Sequence, residues 1–166
     1  MAINSKKKGN RNERKLGKLW QAWTGWEFNR VPASGGLRWK KSDNITGDII
    51  CTEPGIMNFK FSIETKSYKD LDFHNLVNGN KICNVAGFWE QAMDDANRGS
   101  KIPILFMRSN GMKSGMYFVI ISLKVYMKVF KYLNLSYGRI KFKNEWVLIN
   151  SEDLFNSDFQ KIYDAL

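Results

Sequence analysis

The sequence is poor in cysteine and histidine and has no long apolar run. Its two cysteines, Cys51 and Cys83, are too few for a disulfide scaffold and lack the spacing of a zinc site. Because His74 is the sole histidine, triads that depend on histidine are excluded. No segment approaches the roughly 18 apolar residues that span a bilayer, and no apolar signal segment follows the basic N-terminus. We therefore expect a cytoplasmic protein without a membrane partner, with both thiols as packing residues and His74 in a loop.

Acidic residues are also scarce relative to basic ones. The chain has 26 lysines and arginines against 16 acidic residues, which leaves a net charge of +10. This excess favours a polyanionic partner, because lysine and arginine release condensed counterions when they neutralise phosphates. Charge alone leaves a generic basic surface as the alternative. The 166 residues, 43% apolar and 14% aromatic, exclude wholesale disorder and suffice for one domain with a core.

The pattern of apolar residues predicts a single mixed α/β domain over residues 10–166, preceded by a flexible basic segment, 1–9. A helix is expected from about residue 10, with an apolar stripe through Leu16 and Trp20, and it should end at Gly25. Segment 68–86 is polar and poorly patterned. Strands are predicted at 26–31, 47–51, 58–67, 102–107, 116–121, 135–143 and 145–149, and further helices at 87–98, after Ser122 and from Ser151.

Two acids and a lysine form the pattern that carries chemistry. Glu64 and Lys66 lie two residues apart on a predicted strand and therefore point to the same face. Asp48 precedes Ile49 and Ile50 in an apolar strand, where an acid is costly unless something binds it. If the two strands form a hairpin, Asp48 and Glu64 converge and suit a divalent cation such as Mg²⁺. Alone, Glu64 and Lys66 could be just an ion pair on one face of the strand, and Asp48 a strand-start or turn residue.

Glu13 adds a third acid on the core-facing side of the first helix, three residues before Leu16. It could point toward the same metal. The alternative is a capping box with Asn10, since acids favour the first turn of a helix.

These residues resemble the PD-(D/E)XK nucleases. The resemblance rests on Glu13, on residues 30–36 (RVPASGG), on residues 47–50 (GDII) and on residues 64–67 (ETKS), in that order and spacing. Within the superfamily the chain looks most like archaeal-type Holliday junction resolvases, including phage versions, over about residues 9–108. The implied fold is a restriction-endonuclease-like core with a mixed central sheet flanked by helices. Gly47 departs from the family's usual proline before the first acid.

The resemblance also implies roles for individual residues. Asp48 and Glu64 would be metal ligands, with the Thr65 carbonyl as a third and Glu13 completing the acidic cluster. Lys66 would be the catalytic lysine. Residues implied near the cut are Arg30 and Ser34, which would contact DNA, and Gln91, which follows Phe88-Trp89-Glu90 and would border the site.

Further DNA contacts are expected from basic segments that would hold phosphates of flanking duplex. The segment 6–18 is one of them, and Lys69 lies just after the catalytic strand. The other basic segment is the loop Arg38, Trp39, Lys40 and Lys41. Within it, Trp39 could stack on a base or wedge between bases instead of contacting a phosphate.

The combined interpretation is a Mg²⁺-dependent DNA endonuclease, with Mn²⁺ able to substitute, in a prokaryotic cell or phage-infected host. Its preferred substrate would be a four-way junction, and symmetric cutting of a junction implies a C2 homodimer. The alternatives are a nicking, repair or restriction nuclease of the same fold, a catalytically idle DNA-binding module and, more weakly, a nuclease that acts on RNA.

Overall fold

A computed structural model of the protein describes residues 5–31, 45–78, 83–143 and 145–166. One seven-stranded sheet organises these residues, and helices lie on both of its faces. The elements in chain order are α1 (Ser5–Thr24), β1 (Phe28–Arg30), β2 (Ile49–Cys51), β3 (Phe61–Tyr68), α2 (Phe73–Val77), α3 (Asn84–Arg98), β4 (Ile102–Ser109), β5 (Phe118–Ser122), α4 (Leu123–Val129), a 3-10 turn (Phe130–Tyr132), β6 (Ile140–Phe142), β7 (Trp146–Asn150), α5 (Ser151–Phe155) and α6 (Phe159–Asp164).

The sheet has the strand order β1-β2-β3-β4-β5-β7-β6. The strands β3 and β4 are parallel, and α3 forms the crossover between them, as a parallel pair requires. All other neighbours in the sheet are antiparallel. The prediction of an α/β fold with a mixed central sheet flanked by helices is therefore confirmed.

The sheet separates two apolar clusters. On one face, α1 buries Leu16 and Trp20 against alternate residues of the central strands, such as Ile63 and Phe106. On the other face, α3 buries Trp89 against residues such as Leu105 of β4. Successive residues of β4 point to opposite faces, so both clusters draw on that strand.

The ends of some elements differ from the sequence prediction. The helix α1 begins at Ser5, so residues 5–9 of the predicted flexible segment are helical and residues 1–4 lie outside the described part. Lysines are good helix formers, which allows the helix to extend through them. This start also places Asn10 inside the helix, which rules out the capping box with Glu13. The predicted strand 135–143 is limited to Ile140–Phe142, where it pairs with β7.

Two short helices were not predicted. In the polar segment 68–86, α2 spans Phe73–Val77, so His74 lies in a helix and not in the expected loop. The helix α6 follows α5 near the C-terminus. The cap of α5 is also one residue earlier than expected, because the Asn150 side chain accepts the Glu152 N–H while Ser151 is the first helical residue. The predicted cap of α4 is confirmed, since Ser122 Oγ accepts from the Val125 N–H.

None of the helices in the described ranges combines the length and apolar character that a membrane-spanning helix needs. Both cysteines are free thiols; Cys83 is buried and Cys51 is half-buried. Burial raises the pKa of the Cys51 thiol, so it is not an activated nucleophile.

Candidate active site

Asp48 lies at the start of β2, directly beside the middle of β3. Ile49 is the antiparallel partner of Ile63, so the predicted adjacency of the two strands is confirmed. The backbone of Asp48 is held on both sides: its N–H donates to the Ile63 carbonyl at 2.8 Å, and its carbonyl accepts from the Val31 N–H at 2.9 Å. Its side chain is oriented as well, because Oδ2 accepts from the Thr65 N–H at 3.0 Å. The carboxylate is therefore fixed next to the strand that carries Glu64 and Lys66.

Gly47 makes this close approach possible. Its φ is +81°, which favours glycine, and a Cβ at this position would lie 2.5 Å from the Ile63 carbonyl oxygen. Proline is excluded at this conformation, since its ring fixes φ near about −65°. The departure from the superfamily's usual proline thus has a structural reason in this chain: the turn before Asp48 takes a path that only glycine allows.

Glu64 is a buried carboxylate on the α3 face of β3. It is 3% exposed, and Oε1 accepts from Lys66 Nζ at 2.7 Å. Burial, together with the negative charge of Asp48, raises the pKa of Glu64 to about 7, although the Lys66 ammonium acts in the opposite direction. Two carboxylates are thus held together in a position where one of them is costly to ionise.

Lys66 lies between the acids and an aromatic ring. Burial lowers the pKa of its ammonium, but the charge and hydrogen bond of Glu64, together with Asp48, outweigh that effect and leave the pKa raised. Its Nζ also lies 5.9 Å from the centre of the Phe88 ring, which in turn packs against Tyr68. The lysine is therefore a cation, and it is positioned by neighbours on two elements.

Glu13 and Arg30 form an ion pair between α1 and β1. Both side chains are largely buried. Burial raises the pKa of Glu13, Asp48 raises it further, and the Arg30 hydrogen bond opposes both. Asp48 is thus close enough to act on Glu13 through its charge, but the hydrogen-bond partner of Glu13 is Arg30. A metal role for Glu13 and a DNA contact for Arg30 stay predictions.

The chemistry of the donors fits a hard divalent cation. Asp48 and Glu64 offer carboxylate oxygens, and a cation beside them would offset the two effects that raise the pKa of Glu64, its burial and the negative charge of Asp48. Within the described ranges no three or more acidic, histidine or cysteine side chains form a group that could hold a metal ion. Glu13, Asp48 and Glu64 are accordingly not a three-carboxylate group. One or two carboxylates are enough for Mg²⁺, which keeps most of its water ligands.

The remaining predicted residues divide into three groups. Gln91 is exposed on α3, and its amide nitrogen lies 3.5 Å from Glu64 Oε1, at the limit of a hydrogen bond. Lys69 is exposed just beyond β3. Five predicted residues lie outside the described part of the chain: Ser34, Arg38, Trp39, Lys40 and Lys41.

Phe88 was not predicted to have a role of its own. It lies three residues before Gln91 on α3, so both side chains point toward β3 from one helix face, Phe88 toward Lys66 and Gln91 toward Glu64. The i, i+3 spacing was visible in the sequence. That α3 would lie across the Glu64 face of β3 was not, because this depends on the crossover to β4.

The chain is similar to known phage proteins. It matches the family model described as "Phage putative PDDEXK endonuclease" over residues 4–164. It is 30% identical over 113 residues to Protein D14 of Escherichia phage T5, and the match covers 67% of this chain and 69% of that protein. No solved structure matches it. The family match extends through residues 110–164, beyond the stretch on which the sequence resemblance rested.

Proposed function

Because the chain belongs to the phage PD-(D/E)XK endonuclease family, with its restriction-endonuclease-like core, we propose that it hydrolyses DNA phosphodiester bonds with the help of Mg²⁺. The four-way junction is the proposed preferred substrate, and a homodimer the proposed assembly. The observation that carries the proposal is the arrangement of three side chains: Asp48, directly before β2, next to Glu64 and Lys66 on β3, with Lys66 Nζ 2.7 Å from Glu64.

We assign the roles of the residues from the family resemblance, and their positions support the assignment. Asp48 and Glu64 would hold the cation, with the Thr65 carbonyl as a further oxygen donor. When bound, Mg²⁺ would supply positive charge at the scissile phosphate and lower the pKa of a water molecule. The Thr65 N–H keeps the Asp48 carboxylate in place through its bond to Oδ2. Water attacks phosphorus and releases a proton to solvent, the bond to the leaving sugar oxygen breaks, and that oxygen takes a proton from solvent.

Lys66 would act on the phosphate by its charge. Its ammonium is already oriented by Glu64 and by the Phe88 ring, so little reorganisation is needed when negative charge builds up on the phosphate oxygens. Its raised pKa argues against a role as a general base, because a base must be neutral before it accepts a proton. Electrostatic stabilisation is therefore the role that we assign to Lys66.

DNA as the substrate is supported by charge. The net charge of +10 fits a polyanion, and the intact acid–acid–lysine arrangement fits backbone cleavage better than idle binding. Preference for a junction rests on the resemblance to Holliday junction resolvases at Glu13 and in residues 30–36, 47–50 and 64–67, of which residues 30–36 are the most specific. A dimer is proposed because a symmetric cut needs two sites.

The test is cleavage of an end-labelled immobile four-way junction beside a linear duplex of equal length. Both would be incubated in Mg²⁺, in Mn²⁺ and in EDTA, with wild type, Asp48→Asn and the control Asp164→Asn, which changes an exposed acid on α6. We expect metal-dependent paired nicks in the junction. Asp48→Asn should reduce cleavage about a thousandfold, which corresponds to roughly 4 kcal/mol of barrier, and Asp164→Asn should leave it unchanged.

Each result decides between the alternatives. Equal cutting of junction and duplex would support the nuclease activity and reject the preference for junctions. This is the result expected of a nicking, repair or restriction enzyme. Tight binding without cleavage in either metal would indicate a DNA-binding module and overturn the proposal. Sedimentation of the protein alone and with the junction tests the dimer.

A further inference from the structure

A second basic feature lies on the α1 face of the sheet. A groove of about 450 Å³ runs between the N-terminal half of α1 and the turn that joins β4 to β5. Its walls carry five cationic side chains and, among the described residues, no acidic one. The cations are Lys7, Lys8, Arg11, Lys15 and Arg108.

The groove is at the same end of the sheet as the candidate active site. In the parallel pair of β3 and β4, Lys66 is opposite Met107 and Ser67 is opposite Arg108. Arg108 is therefore one strand away from the residue after the catalytic lysine. Because side chains alternate along β4, Arg108 points to the α1 face while Met107 packs toward α3. Lys66 and the groove therefore lie at one end of the sheet but on opposite faces, and DNA that contacts both would have to pass over this end.

The spacing of the cations suits a nucleic acid backbone. Lys8, Arg11 and Lys15 recur at i, i+3 and i+7, so they form one stripe along α1 of roughly 10 Å. One DNA strand presents about three phosphates over that length. Cations this close together repel each other unless an anion lies between them, and none of the described residues of the groove wall is acidic.

The groove is held in shape by contacts between its walls. Lys8 donates to the Asn110 side chain, and Lys15 Nζ donates to Ser114 Oγ at 2.6 Å. Arg108 Nη2 donates to the Met112 carbonyl at 2.8 Å, within the turn. These bonds tie α1 to the β4–β5 turn, so the cations are presented on a preformed surface and lose less side-chain entropy on binding.

We propose that this groove binds the sugar–phosphate backbone of duplex DNA beside the cut, without regard to sequence. The inference rests on the proposed function for its choice of DNA as the polyanion. It adds Arg108 and the β4–β5 turn to the DNA-binding surface, neither of which the sequence indicated. Contacts to phosphates position a duplex and carry no base information, so the groove would orient the substrate and not select its sequence.

The experiment measures the affinity for a linear duplex in EDTA over a series of salt concentrations. The variant Lys7→Gln/Arg11→Gln removes two exposed cations of the groove. The control Lys124→Gln/Lys128→Gln removes two exposed lysines from α4. The helix α4 begins after Ser122, at the last residue of β5, whereas Met107 pairs with Phe118 at the first residue of that strand. The control lysines therefore lie at the other end of β5 from the groove. Both variants change the net charge equally. Thermal melting of each verifies folding, and Arg108→Gln is a second groove variant.

We expect the groove variant to bind several-fold more weakly and to lower the slope of log K against log salt by about 1.8, since each phosphate contact in B-DNA contributes about 0.9. The control should retain the wild-type slope. If groove and control variants have equal slopes, or if wild type does not bind duplex, the groove proposal is wrong.

Cleavage by wild type, measured separately on the junction and duplex, distinguishes the two proposals. If wild type cleaves DNA but the groove and control variants have equal salt slopes, the groove proposal is rejected and the proposed nuclease activity stands. A groove-dependent slope in a protein that cuts nothing in Mg²⁺ or Mn²⁺ would keep the groove and reject the nuclease.

Discussion

The two faces of β3 place opposite kinds of side chain in the interior of one strand. Toward α1, Phe61 and Ile63 are buried among aromatic and aliphatic side chains, with Ile63 0% exposed. Toward α3, Ser62 is 1% and Glu64 3% exposed, and Lys66 follows. Burial is similar on both faces, but its effect on stability is opposite. Removing an alkyl group from water stabilises the fold, whereas removing a carboxylate from water destabilises it.

This difference indicates that the two faces of β3 have different roles, one in stability and one in the candidate site. The α1 face stabilises the fold and thereby holds the strand in position. The α3 face bears the cost of burying the Glu64 carboxylate near that of Asp48, and both effects raise the pKa of Glu64. A site built for a cation and a phosphate is expected to be costly in their absence. Substitutions on the two faces should therefore have opposite consequences for stability and activity.

The largest effect is expected at Gly47, which lets β2 approach β3. Gly47→Ala should lower the free energy of unfolding by about 3 kcal/mol or more and abolish cleavage, because its Cβ would collide with the Ile63 carbonyl. Gly55→Ala is the matched control, since Gly55 also has a positive φ (+90°) but open space around its Cβ position. It should cost only about 1 to 2 kcal/mol. Urea unfolding of both variants measures the difference.

Gly47→Pro would place the superfamily's usual residue in the motif. We expect it to fail as Gly47→Ala does, because a φ of +81° is closed to proline. Normal stability and cleavage in Gly47→Pro would show that the turn before Asp48 can take another path, and that the backbone conformation does not require glycine at this position.

A second comparison uses neighbouring residues on the two faces. Ile63→Ala should lower the free energy of unfolding by about 2 to 5 kcal/mol, because it leaves a cavity in the α1-side core. Ser62→Ala should change it by less than about 1 kcal/mol, since the buried Ser62 hydroxyl has no hydrogen-bond partner among the described residues. Chemical denaturation of the two variants tests this. Equal losses would mean that the faces do not differ as proposed.

The smallest effect is a pH dependence of stability without metal. The pKa of Glu64 is about 7 in the folded protein against an ordinary value of 4.5, so the folded state holds the proton more tightly. Its contribution to stability is complete below about pH 4.5 and is lost as pH rises through about 7. We expect wild type in EDTA to lose about 2 to 3 kcal/mol more than Glu64→Gln does between about pH 5 and pH 8.

Urea unfolding at a series of pH values, with and without Mg²⁺, measures this loss. Glu90→Gln, which changes an exposed acid on α3, should keep the wild-type dependence. Mg²⁺ should reduce the loss if the cation binds at Asp48 and Glu64. The same pH dependence in Glu64→Gln would show that another group is responsible.

Much of the candidate site could be predicted from local pattern. The alternation in β3 placed Glu64 and Lys66 on one face, and a hairpin of the two strands was the condition for Asp48 to converge with Glu64. The pairing of Ile49 with Ile63 confirms that these strands are neighbours. Period-two alternation and short turns are local properties, so a sequence records them directly. The short helix α2 was missed because its five residues carry too little pattern to be recognised.

Local sequence was enough to establish the α/β class, the apolar stripe of α1 and the order of acid, acid and lysine around a hairpin, because each depends on residues close together in the chain. The folded chain was needed to establish that Glu13 pairs with Arg30, that Phe88 and Gln91 lie over Lys66 and Glu64, and that α1 and the β4–β5 turn enclose a basic groove. These contacts join segments far apart in the chain. They depend on strand order and on the crossover through α3, which are set by the packing of whole faces and not by any local pattern.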